Sequence, residues 1–272
     1  MKKIDCHTHI INEKIRDEYF SKTDGYAIVM QFLPKFCNDE IKDNSIELVK
    51  NDGRLFLSPV VDISMPIKPQ LERIEKIIDE KTVGLKVFLS YQAGKANDKR
   101  LFPMYDFANN HRLSVTFHTG SCALQLPSDN DIDGSNAKYI AEVAKKYPDV
   151  NFIVAHMDDP RFDECMLLLK DNPNMYTDFC GAYEPGYPEF DNIDWAIGNF
   201  AKAINQYTGS YKQILYGTDF CPPINLTCID EYYRTIEGIF TADKFDDIYF
   251  NNCLNAFPKI KEYFNKKDGE IK

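Results

Sequence analysis

No stretch of the 272-residue chain approaches the roughly 20 consecutive apolar residues that a membrane-spanning helix needs. No long Lys/Arg run occurs either, and a formal net charge of −10 repels phosphate backbones and anionic lipid surfaces. The expectation is therefore no nucleic-acid and no membrane partner, which leaves a small-molecule substrate. None of the eight cysteines forms a CxxC pair, which argues against a structural zinc ribbon. The start, MKKIDCHTHII, shows no apolar stretch of the kind that follows the basic end of an export signal. The expected address is the cytoplasm, where thiols stay reduced. Low-complexity tracts are also missing, as is any repeat beyond a strand followed by a helix.

What is present is material for a large core. Hydrophobic residues make up 44% and aromatics 13%, and the length suits one α/β barrel of about 250 residues. Eight short β-rich runs alternate with amphipathic charged segments: Lys3–His9, Tyr26–Leu33, Leu55–Val61, Val83–Leu89, Leu113–His118, Asn151–Met157, Met175–Phe179 and Gln213–Asp219. That alternation is the pattern of a parallel sheet with helices outside. LERIEKIIDEK, LFPMYDFANN, NAKYIAEVAKKY and FDECMLLLKD place apolar residues three or four apart and predict helices. The expectation is an α/β fold, a single (β/α)8 barrel over residues 1–264 with a polar tail at 265–272. GSCALQLPSDNDIDGSN and GAYEPGYPEFDNID are longer than ordinary βα loops and are expected to shape a pocket, with Tyr183 and Tyr187 as candidate lid aromatics.

Histidine is scarce. Of five in the chain, His7, His9, His118 and His156 fall at or near the C-terminal end of an expected strand, and His111 precedes one. Alternation along a strand puts Asp5, His7 and His9 on one face, with Cys6 and Thr8 outward. The same rule turns Ser114, Thr116 and His118 inward, and likewise Leu215, Gly217 and Asp219, and Gly84, Lys86 and Phe88. His7, His9, His118 and Asp219 offer three neutral imidazoles and a carboxylate, a set that suits one divalent ion with a position left for water. Zn²⁺ is expected first, with Mn²⁺, Fe²⁺ or Ni²⁺ as alternatives. Such an ion lowers the pKa of bound water from about 15.7 to about 7. Asp219 is expected to bind the ion and accept the water's proton, and His156 to polarise the substrate or shuttle the proton. Asp5 is expected to act behind the ligands or structurally.

D-x-H-x-H at Asp5 to His9, FHTG at Phe117 to Gly120, AHM at Ala155 to Met157, YGTDF at Tyr216 to Phe220 and NNCLNAF at Asn251 to Phe257 occur in this order along nearly the whole chain. Together they resemble the amidohydrolase superfamily, in its branch of TIM-barrel metal-dependent hydrolases that includes aminocarboxymuconate-semialdehyde decarboxylase. The HxH pair alone also opens PHP phosphoesterases and TatD-type nucleases; the ordered set is what is specific. The resemblance implies that His7, His9, His118 and Asp219 hold the metal and that His156 faces the substrate and assists proton transfer.

The chain departs from that pattern in places. HMDDP puts Asp158 and Asp159 where glycines often follow, and the connection between His9 and Tyr26 is short for a decarboxylase. The fourth strand, GLKVF, offers Lys86 instead of the glutamate on which TatD-type nucleases hold a second metal, which argues for one metal. Lys86 is a candidate for an anionic substrate group, for a structural ion pair, or, if carboxylated, for a metal bridge. Cys122 and Cys221 lie just past ligand strands and are candidate thiol nucleophiles. The leading expectation is metal-dependent hydrolysis of a C–O or C–N bond in a small, carboxylate-bearing molecule. Non-oxidative decarboxylation on the same site is the alternative, and a barrel that only binds is the non-enzymatic one. The chain is compatible with a homodimer, the commonest soluble assembly.

Overall fold

The computed structural model describes residues 1–122, 132–181 and 193–270. Seven strands form two parallel sheets: β1 (Ile4–Thr8), β2 (Tyr26–Met30) and β3 (Leu55–Ser58), then β4 (Gly84–Phe88), β5 (Ser114–His118), β6 (Phe152–Val154) and β7 (Met175–Thr177). Isolated parallel bridges carry the ring across both seams. Leu57 with Thr82 and Val60 with Lys86 join β3 to β4, while Thr177 with Ile214 and Thr8 with Phe220 join β7 through residues 214–221 to β1. The molecule is a (β/α)8 barrel in which the eighth position is a bridged segment, not a regular strand. The reason is local: the amide of Thr218 donates to the Asp5 carboxylate at 3.1 Å, and Asp219 sits at φ 56°, so the extended ladder is interrupted where the site begins.

Helices α1 (Glu13–Lys22), α2 (Ser45–Asn51), α3 (Ile67–Glu75), α4 (Phe102–His111), α5 (Ala137–Lys146), α6 (Phe162–Lys170), α7 (Ile193–Ile204) and α8 (Asp230–Ile239) follow the strands, and α9 (Asn252–Ala256) and α10 (Pro258–Glu270) end the chain. α4, α5 and α6 match their expected spans within a residue. α5 is capped by Asn136, whose side chain accepts from the Lys138 amide, and buries Ile140, Ala141, Val143 and Ala144. α3 begins earlier than expected and stops at Glu75. Beyond it, Asp79 Oδ1 takes the amides of Lys81 and Thr82, a turn that competes with helix. The expected tail is entered as helix, since α10 continues to Glu270. Among the described residues no helix is long and apolar enough to cross a membrane.

Alternation divides the strands between two cores. Val115, Phe117, Leu85, Val87, Ile214 and Tyr216 face the helices. Ile28, Met30, Phe56, Ile153 and Leu215 face inward, where Cys253, Ala256, Phe257 and Ile260 of the last helices plug the N-terminal mouth. Ser114 Oγ donates to Ala256 O at 2.5 Å, fixing the plug to β5.

One expected phase and one expected span are corrected. On β1 the register shifts between Asp5 and Thr8, which pair with Ala27 and Val29, so two residues, Cys6 and His7, oppose one. Both reach the same oxygen inside the barrel: Cys6 Sγ lies 3.8 Å and His7 Nδ1 3.2 Å from Asp178 Oδ2. Asp5 therefore faces the helix layer, accepting from Tyr19 of α1 at 3.0 Å, and Cys6 is internal; Thr8 alone keeps its expected outward place, donating to Ile28 O. On the sixth run the strand ends at Val154, because His156, Met157 and Asp158 take positive φ values of 62°, 48° and 55°. Such backbone is sparsely allowed outside glycine and concentrates at functional sites.

Candidate metal centre

The C-terminal mouth gathers the scarce residues. His7 and His9 rise from β1, Lys86 from β4, His118 ends β5, His156 occupies the left-handed turn after β6, Asp178 follows β7, and Asp219 lies in the bridged segment. All seven are buried. Gly217 permits this crowding, since a Cβ there would lie 3.1 Å from Cys6 Sγ and 3.3 Å from the His7 Cβ. Gly120, at φ 68°, lets the end of FHTG pass the Asp159 carbonyl, which a Cβ would meet at 2.2 Å.

Each histidine of the HxH pair is oriented by an acceptor at Nδ1. His7 donates to Asp178 Oδ2 at 3.2 Å and His9 to Met30 O at 2.8 Å. Their protons are thereby committed, and the Nε2 lone pairs approach Asp219 Oδ1 at 3.5 and 3.3 Å. Burial, together with nearby Lys86, lowers the His7 pKa to about 4, so this ring is neutral at pH 7. Burial opposes ionisation of Asp219, yet His7, His9 and His156 hold it well below the usual carboxylate range. The two Nε2 atoms and a carboxylate oxygen converge in a trio able to hold a cation. Bonds of about 2.0–2.2 Å at a tetrahedral angle set donors roughly 3.3–3.6 Å apart, which is the spacing of each histidine from Asp219. The three residues present therefore fit a divalent ion. Lys86 Nζ flanks them, 2.9 Å from His7 Nε2, and burial lowers its pKa against the pull of Asp219.

His118 has other partners in this structure. Its Nδ1 lies 2.9 Å from His156 Nε2 and its Nε2 3.2 Å from Ser121 O. It is absent from the group formed by His7, His9 and Asp219, whose ligand atoms lie within 4.8 Å of one another. Burial and His156 drop its pKa well below the ordinary histidine value. His156 Nδ1 in turn contacts Cys180 O at 2.9 Å. An apolar wall flanks the pair: His118 packs on Tyr91 at 4.7 Å and Phe88 at 6.0 Å, and His9 on Phe32 at 4.8 Å between centroids.

Asp178 and Cys180 are functional candidates that the reading of the sequence missed. Besides holding His7, Asp178 Oδ1 accepts from the His156 amide at 2.8 Å and the Cys180 thiol at 3.0 Å. Despite its burial, these donors, His7 first, hold it well below the usual carboxylate range. The signal was present: on the seventh run Tyr176 and Asp178 alternate inward against Met175 and Thr177. The thiol candidates are not activated, as burial pushes Cys122 up to about 11 and Cys221 well above the ordinary thiol value. Asp158 does not face the mouth; it caps Ala137 N at 3.0 Å and pairs with Arg161 at 2.8 Å, tying the start of α5 to the turn after β6. Asp5 is a strut between layers, joining Thr218 Oγ1 at 2.6 Å to Tyr19. Tyr183 and Tyr187 lie outside the described residues.

Among curated proteins no sequence matches the chain. Solved structures do. An amidohydrolase from Burkholderia multivorans with bound zinc is similar at a TM-score of 0.67 and 13% identity, covering 94% of this chain and 99% of that one. A probable 2-pyrone-4,6-dicarboxylic acid hydrolase from Acinetobacter baumannii with citric acid bound gives 0.65 and 13%, over 95% and 100%. 5-Carboxyvanillate decarboxylase from Sphingomonas paucimobilis gives 0.59 and 10%, over 94% and 99%. At these identities they share the fold. The family model described as Amidohydrolase matches residues 4–252, spanning every strand and residue of the centre, and the chain belongs to that family.

Proposed function

We propose that the protein hydrolyses a C–O or C–N bond in a small, carboxylate-bearing molecule, with one divalent ion, zinc first, held by His7, His9 and Asp219. The observation that carries this reading is the convergence of the two Nε2 lone pairs on Asp219 Oδ1, at 3.5 and 3.3 Å, with both Nδ1 atoms already engaged. Family membership and the zinc in a structural neighbour support it.

When bound, the ion supplies Lewis-acid polarisation and an activated water. Asp219 has a second oxygen free of that duty and accepts the proton, passing it to the leaving group. His156, 5.2 Å from His7 between ring centroids, is the group assigned to the substrate side; its Nε2, held by His118 Nδ1 at 2.9 Å, would exchange that contact for the carbonyl oxygen on which charge develops. Lys86 places a positive charge under the reacting centre and favours an anion there. Phe32, Phe88 and Tyr91 give one side of the pocket an apolar face that sheds water. His118, expected as a fourth ligand, is engaged by His156 at Nδ1 and by Ser121 O at Nε2.

Metal analysis of protein purified without chelator tests the reading: stoichiometric metal is expected, lost in His7→Ala. No metal, or an unaltered content in that variant, sinks it. Assaying acid production against CO₂ release on a panel of esters, lactones, amides and aromatic acids separates hydrolysis from decarboxylation.

A further inference from the structure

Behind the trio lies a second set of donors. Cys180 Sγ is 3.1 Å from His7 Nδ1, 3.5 Å from His156 Nδ1 and 3.0 Å from Asp178 Oδ1. The ligand atoms of His7, His156, Asp178 and Cys180 all lie within 4.8 Å of one another, and all four residues are buried. They come from separate places in the chain, β1, the turn after β6 and the end of β7, so the cluster is a product of the fold.

His156 contacts Cys180 O through Nδ1 at 2.9 Å and His118 Nδ1 through Nε2 at 2.9 Å. A cation seated at His156 Nδ1 takes the place of the Cys180 carbonyl, and the proton on Nε2 donates to His118. One thiolate and one carboxylate balance the charge of a divalent ion.

We infer that the protein carries a second, closed seat for a soft divalent cation, made by Cys180, Asp178, His156 and His7, which competes with the open seat for His7. Four protein ligands including a thiolate and imidazoles make a closed tetrahedral sphere, the form of structural or inhibitory sites, whereas three leave a position for water. Zinc–sulfur bonds of about 2.3 Å and zinc–nitrogen bonds of about 2.0–2.1 Å place those donors roughly 3.5 Å apart, within a few tenths of an ångström of the distances present. Binding replaces the S–H bond of Cys180 with a metal–sulfur bond and releases one proton to solvent. The His7 proton moves from Nδ1 to Nε2, where it turns to Asp219 Oδ1 in place of the Lys86 Nζ contact, and the open seat loses a ligand. An ion in one seat therefore excludes an ion from the other. The inference goes beyond the hydrolytic reading and requires only that His7 be shared.

Cobalt(II) titration of the full chain after chelator stripping tests this. Thiolate-to-cobalt charge-transfer absorption in the near ultraviolet is expected to saturate at one ion per chain, to persist in His9→Ala, which lacks only the open seat, and to vanish in Cys180→Ser. Cobalt bound without that band, a band that survives Cys180→Ser, or two ions held at once would overturn the inference. Should Cys180→Ser fail to fold, cadmium-113 NMR of the wild-type chain decides: a resonance in the sulfur-ligated range supports the seat, and one in the range of nitrogen and oxygen ligands alone removes it. Loss of metal from His9→Ala with no thiolate band in the wild type would leave the hydrolytic reading standing and this one fallen.

Discussion

At the N-terminal end of the barrel interior, Ile28, Phe56, Ile153 and Leu215 meet Phe257 and Ile260 in an apolar plug; at the C-terminal end the barrel gathers four histidines, two ionised carboxylates and Lys86. The plug is held by burial, which is non-directional and scales with area. The mouth is held by directed contacts whose groups are costly to bury unless each finds a partner. The difference separates folding from chemistry along one axis, so a substitution at one end is expected to leave the other nearly untouched.

Five substitutions test that separation, in falling order of effect, with His118→Ala as the control beside His9→Ala. Phe257→Ala opens the plug and is expected to cost about 3–5 kcal/mol in denaturant unfolding while metal content stays stoichiometric; lost metal in the folded variant would join the two ends. His9→Ala should weaken metal binding at the open seat by more than roughly 100-fold, beyond the range for outer partners, with a melting temperature close to the parent's. His118→Ala, by contrast, should retain most of its metal, and loss as severe as that of His9→Ala would make His118 a ligand after all. Asp178→Asn should lower metal affinity by about 10–100-fold, because the amide no longer compels the His7 Nδ1 proton. Titration against a competing chelator reads the change. Tyr19→Phe removes one of the donors to Asp5 and is expected to cost about 1 kcal/mol of stability, leaving metal affinity unchanged; equilibrium unfolding and the same chelator titration check both halves.

Much of this was legible in the residues. Period-two alternation on the fourth, fifth and eighth runs places Lys86, His118 and Asp219 inside, and the helical spacing of NAKYIAEVAKKY gives α5 within a residue. The failures share a cause: alternation assumes an uninterrupted pleat. The extra residue on β1 reverses Asp5 and Cys6, and the left-handed backbone at His156 shortens β6. Neither is written in composition or spacing, because both are set by what the neighbouring chain offers. Asp178 was readable by the same alternation. Cys180 was not, since it lies past the strand and joins the centre only through the close approach of His7 and His156.

The extra residue on β1 also decides how much of the site is portable. D-x-H-x-H looks like a self-contained cassette, but its aspartate is bolted to the outer wall and its histidines open into the bore. Grafting those five residues onto a regular strand would swing Asp5 into the bore beside the histidines and strip Tyr19 of its partner. The smallest unit that could be transplanted is the β1–β2 pair with its offset register, together with the helix that supplies Tyr19.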